Sequence, residues 1–143
     1  GTVVVRGPQR LRGARIDLSA APELLPILAV LACAARGKTY IYGAGEARFM
    51  KSDRISSTAR ELKRLGARVV ERRDGLLVAG PARLKGCEVD AHDDYAIASA
   101  LVVAGLVAEG ETKVRGGAEA LQTSYSRFVS TFQELGANVS YAV

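Results

Sequence analysis

Residues Gly37–Gly66 read GKTYIYGAGEARFMKSDRISSTARELKRLG. Thr39–Tyr42 reads as a strand, and Gly43 and Gly45 break the pattern into a loop. Ile55, Ala59, Leu62 and Leu65 then recur at helical spacing, so an amphipathic helix is expected from about Ser52. Arg48, Lys51, Asp53 and Arg54 gather around that helix start. A helix N-terminus presents unpaired N–H groups and a partial positive charge, so cations beside it suit a phosphate or carboxylate. Ser52 is the expected N-cap and Asp53 suits the first turn. The same residues also describe an ordinary capped helix with solvated charges.

The stretch has a second copy. Leu11-Arg12-Gly13 matches Leu84-Lys85-Gly86, Ile16-Asp17 matches Val89-Asp90, and Gly37, Gly43 and Glu46 match Gly110, Gly116 and Glu119, all 73 residues apart. Past the loop the offset becomes 70: Leu65-Gly66-Ala67 matches Leu135-Gly136-Ala137. A three-residue deletion in the second loop accounts for the change. Each copy runs through a short strand (Arg15–Leu18; Glu88–Ala91), an apolar helix (Glu23–Ala35; Tyr95–Ala108) and a glycine in a C-cap position. A second strand (Lys38–Tyr42; Thr112–Arg115), the loop, the amphipathic helix and a further strand (Ala67–Glu71; Asn138–Val143) complete it. Tyr125, Val129, Phe132 and Leu135 supply the apolar face of the second amphipathic helix. Asp74-Gly75 signals a hairpin into Leu76–Ala79.

The expected plan is a βαβαββ unit repeated over about 11–80 and 84–143. Val3–Arg6 lies 73 residues before the strand at Leu76 and is expected to be the last strand of an earlier unit. Alternatively, Val3–Val5 closes the gap at the C-terminal end. The chain is read as a piece of a longer repeat protein. A helix that is apolar all round must be buried on every side, so the expected α/β fold has its helices inside and its sheets outside.

The 143 residues suffice for one domain, and 48% hydrophobic with 24% charged content fits a globular chain. The formal charge is +5, spread through every segment, and only 6% of residues are aromatic, so no nucleic-acid surface is expected. Cys33 and Cys87 are read as small buried residues, with neither a metal cluster nor a disulfide framework. The apolar run Leu24–Ala35 is too short to span a bilayer and contains Pro26. With no signal-peptide pattern, a cytoplasmic protein without membrane contact is expected.

Asp17 and Asp90 each stand where a strand turns into an apolar helix, a position that suits a cap. Asp17, followed by Pro22 in the helical first turn, could also accept a proton in a cleft. His92-Asp93-Asp94 is read as an N-terminal capping run and not as a metal site, and Thr123-Ser124 as the cap of the last helix.

Three segments carry a resemblance. Ile16-Asp17-Leu18-Ser19-Ala20-Ala21-Pro22 and the helix after it resemble the segment of 5-enolpyruvylshikimate-3-phosphate synthase that holds the catalytic aspartate. Arg48-Phe49-Met50-Lys51-Ser52-Asp53-Arg54 resembles that family's R-x-K-E-S/T-D-R motif. Val89–Ala100 resembles its D-x-H-x-D-H-R-I-A-M-A segment. The stretch Glu46–Met50 is also similar to E-N-R-F-M of the sister enzyme that acts on UDP-N-acetylglucosamine.

The resemblance implies two domains of three βαβαββ units, of which this chain supplies about two units and lacks the N-terminal domain. It implies transfer of enolpyruvyl from phosphoenolpyruvate to the 5-hydroxyl of shikimate 3-phosphate, with no cofactor or metal. Asp17 matches the aspartate that accepts the hydroxyl proton, and Arg54 an arginine that binds phosphoenolpyruvate. Arg48 and Asp53 match supporting positions, and Lys51 stands near the substrate-binding lysine. Met50-Lys51 replaces the family's K-E pair, Tyr95-Ala96 its H-R pair, and Gln122-Thr123 stands where many members carry a lysine. The alternatives are a family member that has lost the reaction and binds an anion or a partner, and the UDP-N-acetylglucosamine transferase. The isolated chain is expected to fold without turning over.

Overall fold

The apolar segment after Asp17 begins as a 3-10 turn, Pro22–Leu24, and continues as α1, Leu25–Ala34. Its equivalent is α3, Tyr95–Val107. The two pack against each other, and Leu25, Ala29, Ala98, Leu101 and Ala104 are buried in the core. The structure, a computed structural model, describes residues 1–142.

Strands β1 (Arg15–Asp17), β2 (Gly37–Tyr42), β3 (Arg68–Arg72) and β4 (Gly75–Gly80) form one sheet in the order β1-β2-β4-β3. β1 runs parallel to β2, as a crossover helix requires, and β4 is antiparallel to β2 and β3. Gly75 starts β4 where a Cβ would run into the Ile41 carbonyl oxygen, so only glycine permits this close pairing. Thr39, Ile41, Val69, Leu76 and Val78 are buried, while Lys38, Arg68, Val70 and Arg72 are exposed, as the two-residue period of a one-sided sheet demands. Helix α1 and α2 (Arg54–Arg64) cover the buried face.

The second sheet holds only β5 (Glu88–Asp90) and β6 (Lys113–Arg115), again parallel. The register Arg15↔Tyr40 becomes Glu88↔Lys113, and the single bridge Arg12↔Arg36 becomes Lys85↔Glu109, each shifted by 73 residues. Helices α2 and α5 (Phe128–Glu134) end alike: Gly66 and Gly136 take positive φ of 98° and 92°. The following amides, on Ala67 and Ala137, donate back to Leu62 and Phe132, which satisfies the last carbonyls.

Several expectations change. Val3–Val5 are exposed and lie outside any strand, because no neighbouring strand presents free backbone groups to them. Residues 138–142 form no strand either, and Val143, the end of that expected strand, lies outside the described residues. The last amphipathic helix does not begin at Thr123-Ser124. These residues close a separate helix α4 (Ala118–Ser124), and Tyr125–Arg127 interrupt the course before α5, which has no side-chain cap. Gly37 does not cap α1: Ala35 ends the helix in an extended conformation, and Gly37 opens β2. Nor are the apolar helices buried all round. Ile27 and Leu31 on α1, with Leu24 before it, and Leu106 and Val107 on α3 are exposed, because no element among the described residues covers them. Cys33 is buried, which pushes its thiol up to about 11, whereas Cys87 is half-buried with its thiol donating to the Arg64 carbonyl.

Candidate functional site

Helix α2 starts one residue later than its sequence suggests. Asp53 is the N-cap, its carboxylate accepting the Ser56 amide at 3.0 Å, and Ser52 is not. Ser52 is drawn away: its hydroxyl donates to the Asp94 carboxylate at 2.8 Å. Asp94 comes from the other repeat, where it is also the N-cap of α3, accepting the Ala96 amide at 2.9 Å.

Arg54 reaches the same carboxylate. Its Nε and Nη2 donate to the two Asp94 oxygens at 2.9 and 3.1 Å, a bidentate pair in which the side chains are 4% and 0% exposed. Burial pushes the Asp94 carboxyl up, but bonds from Arg54, Ser52 and the Ala96 amide outweigh it and hold the group below its ordinary 3.8. Burial likewise opposes the Arg54 charge, and Asp94 more than restores it. The third edge of the guanidinium, Nη1, faces the Met50 sulfur at 3.2 Å, and the group lies 5.4 Å from the Tyr95 ring centre. Arg54 lines a cleft of about 320 Å³ with Glu23, Pro26, Tyr95, Ser99, Tyr125 and Phe128 among its walls.

Arg48 is engaged elsewhere through four of its five N–H groups. Its guanidinium donates to Asp53 at 3.0 Å, to Glu71 at 2.9 Å, and to the Arg73 and Arg72 carbonyls at 2.9 and 2.7 Å. The Asp74 carboxylate and carbonyl accept the Gly43 and Ala44 amides at 2.9 and 2.8 Å. The loop from Gly43 to Asp53 is thereby pinned at both ends to the β3–β4 hairpin. Lys51 is exposed and makes no hydrogen bond or ion pair among the described residues.

Asp17 stands apart from this network, at the end of β1. It is exposed, and one oxygen accepts both the amide and the hydroxyl of Ser19. Those bonds hold its carboxyl below the ordinary value, so it is ionised at neutral pH. Gly43 lies against it: a Cβ there would stand 2.7 Å from the same carboxylate oxygen, and the φ of 73° also favours glycine. The five sequence candidates thus divide into Arg48 with Asp53, Arg54 with Asp94, a free Lys51, and Asp17 beside Ser19 and Gly43. Asp94, Ser52, Glu71 and Tyr95 were not candidates. Their partners lie 23 to 42 residues away, and no local spacing announces such a pair.

The comparisons agree with this architecture. The family model described as EPSP synthase (3-phosphoshikimate 1-carboxyvinyltransferase) matches residues 1–132. The chain is similar to the 3-phosphoshikimate 1-carboxyvinyltransferase of Methanocella arvoryzae, with 45% identity over 97% of this chain and 32% of the relative. Its likeness to that of Methanocaldococcus jannaschii is 40% over 96% of this chain and 32% of the relative. Among solved structures, an EPSP synthase from Acinetobacter baumannii superposes with a TM-score of 0.82 at 29% identity, over 87% of this chain and 30% of that one. The enolpyruvyl transferase NikO from Streptomyces tendae superposes with 0.74 at 30% identity, over 94% and 30%. The chain spans about a third of the length of the curated relatives it matches. With the shared fold and a matched segment that includes Asp17, Arg48 and Arg54, the chain belongs to the EPSP synthase family.

Proposed function

We propose that the whole protein of which this chain forms a part transfers enolpyruvyl from phosphoenolpyruvate to the 5-hydroxyl of shikimate 3-phosphate. Family membership over residues 1–132 carries the reading. The reaction needs a carboxylate to take the hydroxyl proton and cations to hold phosphate and carboxylate groups. Asp17 is exposed and ionised, the form that accepts a proton. Arg54 lies at a cleft wall; Asp94 takes its Nε and Nη2 edge, Nη1 meets the Met50 sulfur, and the N–H groups beyond these contacts are those an anion would use. Lys51 is exposed and unpaired among the described residues, which suits a mobile second cation. Arg48 and Asp53 act by fixing the loop that carries them. The exposed apolar residues Leu24, Ile27, Leu31, Leu106 and Val107 support a further requirement, that other parts of the enzyme pack against these helices. No helix among the described residues is long and apolar enough to cross a membrane.

One observation favours a second reading, a family member that binds an anion without turnover. Met50 sits against the free edge of Arg54, and Asp94 already offsets the guanidinium charge. The two readings separate on one assay: the whole protein, given phosphoenolpyruvate and shikimate 3-phosphate, with phosphate release followed beside an Asp17→Ala variant. Release that falls about a hundredfold or more in the variant is expected, the scale of a lost acid–base group. A well-folded protein that releases no phosphate would overturn the proposed reaction, and phosphoenolpyruvate binding measured on that protein would then support the second reading. The isolated chain is expected to release none.

A further inference from the structure

Arg54 and Glu61 are seven residues apart on α2, two turns along one face. Each grips a different end of the same turn in the other repeat. Arg54 holds Asp94. Glu61, 1% exposed, accepts the Asp90 amide at 3.0 Å on one oxygen and meets His92 Nε2 at 3.1 Å on the other. Between these grips, His92 and Asp93 both take φ of 53°, the only non-glycine residues with positive φ among those described. L-residues avoid that region unless their surroundings hold them there. The equivalent turn after Asp17 contains no such residue, and its side-chain hydrogen bonds among the described residues are the local ones from Ser19 to Asp17.

We propose that Glu61 is a positioning residue. Through His92 and the Asp90 amide it fixes the turn from Asp90 to Asp94, and so sets the carboxylate that orients Arg54. Any consequence for catalysis rests on the reaction proposed above, but the coupling from Glu61 to Arg54 does not.

The chain itself tests it by residue-resolved hydrogen exchange of Glu61→Ala, Glu61→Gln and His92→Ala. In Glu61→Ala, exchange at the Asp90, Asp94 and Ala96 amides and at Arg54 Nε is expected to rise about tenfold or more, with α1 unchanged. Glu61→Gln, whose amide oxygen still accepts from Asp90, is expected to restore most of the Asp90 protection. His92→Ala is expected to move the same sites by less, and it serves as the test if Glu61→Ala does not fold. Unchanged Arg54 Nε exchange, or an equal rise throughout α1, overturns the proposal. In the whole enzyme, His92→Ala is expected to raise KM for phosphoenolpyruvate a few-fold with kcat nearly unchanged. A wild-type enzyme without turnover defeats the proposed reaction and leaves the exchange result standing.

Discussion

Leu65 and Leu135 open equivalent Leu-Gly-Ala sequences at the ends of α2 and α5, yet Leu65 is fully buried and Leu135 is 77% exposed. The difference lies in the chain beyond each helix. After α2 the chain forms β3 and β4, which join the first sheet and cover the helix. After α5 residues 138–142 join no strand, although the Val139 carbonyl accepts the Gln133 side-chain amide at 2.7 Å. The two loops differ in the same sense. In the first, which holds a 3-10 turn at Gly45–Phe49, Arg48 ties the loop to the hairpin and Asp53 caps α2. In the second, Leu121 and Thr123 stand at the matching places, and α5 starts without a side-chain cap. An apolar pattern states which face a helix can bury. Burial itself needs a partner layer, and among the described residues only α2 is followed by paired strands that supply one, although Val129 of α5 is also buried.

The largest test of this contrast is the bond between the units. Asp94→Ala leaves the buried Arg54 charge without its partner and is expected to cost about 3–5 kcal/mol by urea denaturation. The pH dependence has a fixed sign. The folded Asp94 carboxyl is held below 3.8, so its stabilisation is complete above that value and is lost as pH falls through the folded pKa. The urea midpoint of the native chain should therefore drop more between pH 6 and pH 3 than that of Asp94→Asn. An equal drop would mean that other carboxylates carry the acid sensitivity.

Next in size, Arg48→Ala removes four hydrogen bonds from the loop and hairpin and is expected to cost about 2 kcal/mol. Its signature is faster amide exchange at Gly43 and Ala44, with α5 unaffected. A loss confined to α2 would show that the clamp serves the helix and not the hairpin. The smallest effect compares two caps. Asp53→Ala is expected to cost about 1 kcal/mol, and Thr123→Ala, which caps nothing, less than about 0.5 kcal/mol. Equal costs would erase the distinction between the loops.

The sequence by itself determined the repeat, the element types through most of the first unit, the buried register of α2 and the segments that carry the family resemblance. Periodicity and glycine spacing are local, and residues such as Ile55, Ala59 and Leu62 state their own orientation. It also named Asp17, Arg48, Lys51, Asp53 and Arg54 as candidates, but not the Asp94 and Glu71 partners of Arg54 and Arg48. That Ser52 serves Asp94 and leaves the cap to Asp53, that Arg54 is neutralised from the second unit, and that Glu61 reaches His92 depend on side chains far apart in the chain. Only the tertiary structure decided these pairings, because a buried charge accepts whichever partner packing brings within bonding distance. It decided the ends too: Val3–Val5 and residues 138–142 have strand-like sequences, but a strand forms only where a neighbour offers its backbone groups.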